Sequence, residues 1–264
     1  MQVLRKGSKG QEVEDWQFFL RGLDLYNSVI DGDFGPATHS ATIAFQRQNR
    51  LTDDGVVGSM TYAKAFEMGF GILDDDDTGI NSPNWPPKPN FSSLSFVDKK
   101  RIFGDFKYKP SPSPNNPEGI TILGDWVSKN IVKVKIPQLK GVLGAPSSGE
   151  IFWHQKGEEQ IIKLFEAWEK ENLLQLVQSW AGSWVPRFVR GSRTFLSNHA
   201  YATAFDINVP WNGLKRTPAL VGKKGSVREL VPIANDLGFY WGGHFSRKDG
   251  MHFEIGKMST TSKR

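Results

Sequence analysis

The chain contains no cysteine. That absence excludes disulfides, thiolate metal ligands and cysteine nucleophiles together, so any metal must rest on histidine and carboxylate groups. Long hydrophobic runs are missing too, and no segment approaches the roughly 18 apolar residues that span a membrane. The amino terminus, MQVLRKGSKGQEVEDW, lacks the apolar stretch of roughly 7 to 15 residues that marks a secretory signal. The expectation is synthesis in the cytosol without membrane insertion. The alternative is a secreted chain whose signal was removed before this numbering begins.

What is present points to more than one domain. The 264 residues exceed one average domain, and a hydrophobic fraction of 38% with nine Trp and 18 Phe can fill a core. Net charge is +5, which suits an anionic partner such as a nucleic acid, an anionic lipid or a cell-wall polymer. Its distribution narrows that choice. Residues 1 to 70 hold seven Lys and Arg against nine Asp and Glu, leaving the remainder at +7. The amino-terminal part is a poor phosphate binder, and no nucleic-acid partner is expected.

That part contains an internal echo. DGDFGPAT at 31 to 38 and DGVVGSMT at 54 to 61 both read D-G-x-x-G-x-x-T, offset by 23 residues, as stacked supersecondary units do. Each DG supplies a tight turn, and the later Gly with Pro36 or Ser59 opens a helix. Upstream, Ser8 with Gln11 makes a capping-box pattern ahead of Val13, Trp16, Phe19 and Leu20 at helical spacing. Three short helices joined by DG turns follow. The stretches LRKGSKGQEVEDWQFFL, IDGDFGPATHSATIAFQRQNRL and DGVVGSMTYAKA together resemble the peptidoglycan-binding module of cell-wall hydrolases. The resemblance covers about residues 1 to 70. It implies an all-α three-helix bundle that binds bacterial peptidoglycan near Asp31, Asp33, Phe34 and Gln46.

Composition then marks a linker over 71–91. DDDDT at 74 to 78 is a charge run that does not pack, and NSPNWPPKPN adds four prolines. A second domain is expected over 92–264, with KPSPSPNNP at 109 to 117 as a long loop near its start. NIVKVKI at 130 to 136 alternates as a half-buried strand, and EEQIIKLFEAWEKE at 158 to 171 puts Ile161, Leu164, Phe165 and Trp168 on one helical stripe. With short strands near AFDIN and FEI, the reading is α+β with a small, mostly antiparallel sheet. His39 and His154 read as structural.

Two stretches carry chemistry: SNHAYATAFDIN at 197 to 208 and DGMHFEI at 249 to 255. A catalytic zinc site uses three protein ligands and an open position, and His199, Asp206 and His252 satisfy that count. A strand through AFDIN points Asp206 inward, a turn after SNH brings His199 alongside, and alternation places His252 and Glu254 on one face. A further group must take a proton from water and return it to the leaving amine. Asp249 and Glu254 both qualify; Glu254 could equally orient a ligand histidine, and spacing alone does not decide. Upstream, Arg187, Arg190 and Arg193 offer forks for substrate carboxylates and a tetrahedral oxyanion.

The ordered set SNHAYATAFDIN, GFYWGGHF and DGMHFEI resembles the zinc D,D-carboxypeptidase and L-alanyl-D-glutamate endopeptidase family, including VanY-like enzymes and phage endolysins. That resemblance implies Zn2+ held by His199, Asp206 and His252, with Asp249 as general base and Arg187 or Arg190 on the substrate. Ser197 then makes a structural or substrate hydrogen bond, there being no G-x-S-x-G elbow, and His244 is either a substrate contact or a solvent-side loop residue. One departure is visible: Ala202 stands where the family usually has Gly, which matters if the position requires positive φ. The combined expectation is a monomeric, endolysin-like peptidoglycan hydrolase that cuts the L-Ala-D-Glu bond once released to the wall. A D,D-carboxypeptidase is the alternative. The rivals are a non-catalytic wall-binding protein that keeps its metal for stability, and a glycosidase built on Asp249 and Glu254.

Overall fold

The computed structural model describes residues 2–68, 70 and 84–259. The acidic run at 74 to 78 and Pro83 of the expected linker lie outside the described residues.

The first unit is a three-helix bundle of α1 (Gln11–Gly22), α2 (Pro36–Gln48) and α3 (Ser59–Glu67). Trp16, Phe19, Phe45, Tyr62 and Phe70 interlock at its centre, with ring centroids of Trp16 and Phe45 5.4 Å apart. The repeated DG motif has a physical explanation in two buried glutamines. Gln17 Nε2 lies 2.9 Å from Asp31 Oδ1, Asp33 O and Thr38 Oγ1, while its Oε1 accepts from the N–H groups of Asp31 and Gly32. Gln46 repeats the pattern on Asp54 Oδ1, Val56 O and Thr61 Oγ1, accepting from Gly55 N at 2.8 Å. Gly32 (φ 73°) and Gly55 (φ 70°) turn in the left-handed region that favours glycine. Each motif is a tight turn whose buried polar groups are satisfied from a neighbouring helix, as burial requires.

Two expectations for this unit need correction. Phe34 and Gln46 are each 1% exposed, one filling the core and the other locking the second turn, so neither presents a side chain to a wall polymer. Asp31 is exposed, but its Oδ1 accepts from Gln17 and from Asp33 N, as a turn-closing aspartate does. The capping box also fails to form. Gly10 is the N-cap of α1, and the Ser8 hydroxyl accepts instead from Arg5 N.

The second unit is α+β. After α4 (Phe96–Phe103), β1 (Lys107–Pro110) and β2 (Ile120–Leu123) form an antiparallel pair joined by the Pro-rich loop. Past α5 (Trp126–Asn130), β3 (Ile131–Lys135) pairs antiparallel with β4 (Glu150–His154), and α6 (Glu158–Lys170) follows. The remaining strands, β5 (Trp180–Gly182), β6 (Ala204–Ile207), β7 (Phe239–Trp241) and β8 (His252–Ile255), make an antiparallel sheet in the order β5-β6-β8-β7, with α7 (Val231–Asp236) preceding β7. Strand alternation sends Phe205 and Phe253 to one face, where they stack at 5.4 Å and meet Trp168 of α6. Burying each such ring contributes roughly 1.5–3 kcal/mol. His154 is structural as expected: its Nε2 lies 3.1 Å from Phe103 O, and burial pushes its imidazole down to about 4.

Packing of the second unit begins at Trp85 rather than at residue 92, because Trp85 is buried in its core. The two units also touch. Asp15 of α1 pairs with Arg216, Nε to Oδ1 2.9 Å, and Trp211 Nε1 donates to Met68 O at 2.9 Å.

Candidate metal centre and active site

Antiparallel register sets Asp206 directly opposite His252 and Ala204 opposite Glu254. All four therefore share the face away from the Phe205–Phe253 stack. His199 arrives from a short 3-10 turn, Asn198–Tyr201, whose N-cap Ser197 accepts from His199 N. The turn ends at Ala202 in the left-handed conformation (φ 53°, ψ 46°), and the chain then reverses into β6. Positive φ is thus required where this chain carries Ala. The cost is on the order of 1–2 kcal/mol; His154 N, bonded to Ala202 O at 2.9 Å, helps hold the turn.

Ligand atoms of His199, Asp206 and His252 all lie within 4.8 Å of one another. His199 Nε2 is 3.2 Å from both Asp206 Oδ1 and His252 Nδ1, and His252 Nδ1 is 2.9 Å from Asp206 Oδ1. The outer ring nitrogens are committed elsewhere. His199 Nδ1 donates to Ser183 O at 3.1 Å, and His252 Nε2 donates to Glu254 Oε2 at 2.9 Å. This arrangement turns His199 Nε2 and His252 Nδ1 toward the shared centre, the pattern of histidines that bind a metal once His252 has given up its second proton. The donor set, two imidazole nitrogens and one carboxylate oxygen, fits zinc.

Electrostatics agree with the geometry. Burial alone would push His252 down, but hydrogen bonds to Asp206 and Glu254, reinforced by their charges, outweigh it and raise the imidazole to about 10. Burial pushes His199 down, only partly offset by Asp206. Asp206 is opposed by burial yet held well below the usual carboxylate range by both histidines. Glu254, also opposed by burial, is lowered by His252 and by the Ser93 hydroxyl.

A cavity of about 390 Å³ opens beside this cluster, lined by Lys99, Arg187, Phe245, Arg247, Asp249 and His252 among others. Burial pushes the Asp249 carboxyl up to about 6, against the pull of His252, and its Oδ1 is enclosed without a hydrogen-bond partner. Gly242 makes the turn possible, since a Cβ there would sit 2.3 Å from Asp249 O. Trp241 Nε1 pins the turn from behind through Gly250 O at 2.7 Å. Both acids the sequence left open line the cavity, but Glu254 is engaged by His252, Ser93 and Asn198, whereas Asp249 Oδ1 has no hydrogen-bond partner.

The arginines also separate. Arg190 pairs with Glu118 at 3.0 Å, and Arg193 donates to Pro117 O. Arg187 lines the cavity within the fields of Asp206 and Asp249; burial lowers its pKa and both carboxylates oppose that. Ser197 is 5% exposed and caps the His199 turn, while still touching the cavity wall. His244 corrects an expectation: it is 4% exposed, packed on Trp241, and its Nε2 bonds Pro86 O at 2.8 Å. A buried imidazole holding a backbone carbonyl faces neither solvent nor the cavity. Ser183 and Ser93, both partners of the cluster, escaped sequence reasoning. Ser183 acts through its backbone carbonyl, which no residue type reveals, and Ser93 lies 161 positions from Glu254.

Two parts of the chain resemble known proteins. Residues 190–255 match the family described as D-alanyl-D-alanine carboxypeptidase, and residues 9–64 match a peptidoglycan binding domain. The Zinc D-Ala-D-Ala carboxypeptidase of Streptomyces albus G is 36% identical over 81 residues, 30% of this chain and 30% of that protein. The Spore cortex-lytic enzyme of Oceanobacillus iheyensis is 38% identical over 63 residues, 24% of this chain and 23% of that protein. The crystal structure of the SleB N-terminal domain shares 31% identity across 25% of this chain and 92% of that one, with a TM-score of 0.25. The chain thus spans less than a third of the length of either curated relative. Residues 9–64 are thus similar to a peptidoglycan binding domain, and residues 190–255, which hold the histidine and aspartate cluster, to the D-alanyl-D-alanine carboxypeptidase family.

Proposed function

We propose that this chain is a zinc-dependent peptidoglycan hydrolase that cuts an amide bond of the stem peptide, the bond being that between L-Ala and D-Glu. The observation that carries the reading is the convergence of His199, Asp206 and His252 beside the enclosed carboxylate of Asp249, in a cavity rimmed by cations. His199 Nε2, an Asp206 carboxylate oxygen and His252 Nδ1 would hold the metal. Zinc, when bound, supplies Lewis-acid polarisation of a carbonyl and acidifies water to a pKa of about 7.

The chain's own groups do the rest. The Asp249 carboxylate, which lines the cavity, accepts a proton from the attacking water and returns it to the leaving amine. Arg187 offers a fork to the developing oxyanion or to a substrate carboxylate. Lys99, Arg190 and Arg247 add positive charge around a substrate rich in free carboxylates. Glu254 and the Ser183 carbonyl keep both histidines oriented, so little reorganisation is needed in the transition state. The amino-terminal domain raises the local concentration of wall polymer at the site.

The L-Ala-D-Glu assignment is supported by the partnership with a wall-binding domain, since cutting the stem near the sugar opens the wall and trimming its far end does not. Removal of terminal D-Ala is the second reading, favoured by the names of the matched family and of the Streptomyces relative. A synthetic stem pentapeptide distinguishes them. Products beginning with D-Glu support the endopeptidase; release of D-Ala alone assigns the carboxypeptidase; an untouched peptide in the presence of zinc refutes both.

A further inference from the structure

The stretch NWPPKPNFSS, residues 84 to 93, has the composition of a spacer. Its prolines preclude helix and favour extended backbone. Yet it lies against the second unit along its length. Trp85 packs on Trp241 with centroids 5.5 Å apart, and the Arg228 guanidinium and Lys248 ammonium stand 4.8 and 4.9 Å from its ring centre. Pro86 O accepts from His244 and Pro87 O from Asn235. Phe91 sits edge-on to Tyr240 and covers Gly256, where a Cβ would come within 2.8 Å of the ring.

The strap ends at the metal centre. Ser93 Oγ donates to Glu254 Oε1 at 2.5 Å, while Glu254 Oε2 accepts from His252 Nε2 and from Asn198 Nδ2. Glu254 is 3% exposed, so these donors are what hold its charge in place. Its position decides where the His252 ring points. Ser93 also reaches the wall of the cavity that holds Asp249.

We propose that Ser93 is a positioning residue of the metal centre: its hydroxyl fixes the Glu254 carboxylate, and through it the His252 ring, so the strap at 85 to 93 contributes to zinc affinity. The inference rests on His199, Asp206 and His252 as zinc ligands and is independent of which bond the enzyme cuts. Asn198 holds the same carboxylate from the other side, so loss of Ser93 weakens the orientation without abolishing it.

The test is zinc affinity of the full chain, measured by competition with a chromophoric chelator, for wild type, Ser93→Ala, Ser93→Thr and His199→Ala. Replacing a direct partner of a metal-bound histidine costs about 10- to 100-fold in affinity, and one step further out a loss of about 3- to 10-fold is expected for Ser93→Ala. Ser93→Thr, which keeps the hydroxyl at a half-buried position, restores it. The visible d–d bands of the Co2+-loaded protein shift in Ser93→Ala and return in Ser93→Thr, a signature that a purely structural serine would not produce. Thermal melting of the metal-free proteins verifies that both variants fold. Affinity within twofold of wild type in folded Ser93→Ala, or a Thr variant as weak as the Ala variant, overturns the inference. If His199→Ala also leaves zinc affinity unchanged, the metal-site reading fails instead.

Discussion

Loading zinc into this site should expel a proton from His252, because its two carboxylate partners favour the charged ring. His252 Nδ1 lies 2.9 Å from Asp206 Oδ1 and Nε2 lies 2.9 Å from Glu254 Oε2, so two carboxylates hold the imidazolium. Burial opposes the charge, but the paired carboxylates win and raise the group to about 10, against roughly 6.5 for a free imidazole. Zinc competes for the same nitrogen. Apparent affinity should therefore strengthen about tenfold per pH unit, or roughly a hundredfold between pH 7 and pH 9. Folding of the metal-free chain responds with the opposite sign. A folded-state pKa above the unfolded value contributes stability that is complete below about 6.5 and is lost as pH rises through about 10. Chelator competition across pH 6.5 to 9.5 reads the affinity, and calorimetry in two buffers of different ionisation enthalpy counts the proton. An affinity that levels off above about pH 7.5, as an ordinary imidazole predicts, would refute the reasoning. Glu254→Gln removes one of the two charges and should move the levelling point to lower pH.

Asp249→Asn should lower kcat/KM by about 10²–10⁴, the usual value of a general base, while zinc affinity stays within a few-fold. In the wild type the acid limb of the rate profile should fall at or below about pH 6, because burial raises Asp249 to about 6 and a bound cation brings it down. Gln46→Ala leaves the Gly55 amide without its acceptor and removes three further contacts; urea unfolding should show a loss of about 2–4 kcal/mol, and Gln17→Ala a similar one. Ala202→Gly relieves roughly 1–2 kcal/mol of left-handed strain but gives up about 0.8 kcal/mol of methyl burial and about 0.5–1 kcal/mol of chain entropy. Its stability, by thermal melt, should therefore lie within about 1 kcal/mol of wild type.

The parts of this molecule legible in its sequence are those set by short-range periodicity. Alternation in AFDIN and HFEI places Asp206, His252 and Glu254 on one face, and antiparallel register brings them together. The DG turns and the Ile161–Trp168 stripe were equally plain, because turn chemistry and helical spacing are local. What was not legible depends on contacts between distant segments. Nothing near Gln17 shows that it closes a turn 14 residues away, and Phe34 reads as a surface aromatic until the bundle closes over it. Spacing does not separate Asp249 from Glu254, because it does not encode the partner of each carboxylate; in the sequence only the family resemblance favours Asp249. The Trp-Pro-rich stretch reads as a spacer because proline composition describes the backbone, whereas its docking depends on Trp241 and His244 some 150 residues later.

The central claim is that this metal centre and Asp249 hydrolyse peptidoglycan stem peptides. Purified peptidoglycan should be digested with the zinc-loaded protein, the chelated protein, the chelated protein restored with zinc, and Asp249→Asn, followed by mass spectrometry of the fragments and labelling of new amino termini. The account predicts stem-peptide cleavage, with new D-Glu amino termini, from the zinc-loaded and restored proteins, none after chelation, and cleavage by Asp249→Asn slower by at least about a hundredfold. Cleavage that persists after chelation or proceeds at the wild-type rate in Asp249→Asn, or release of reducing sugar in place of peptide products, would contradict it.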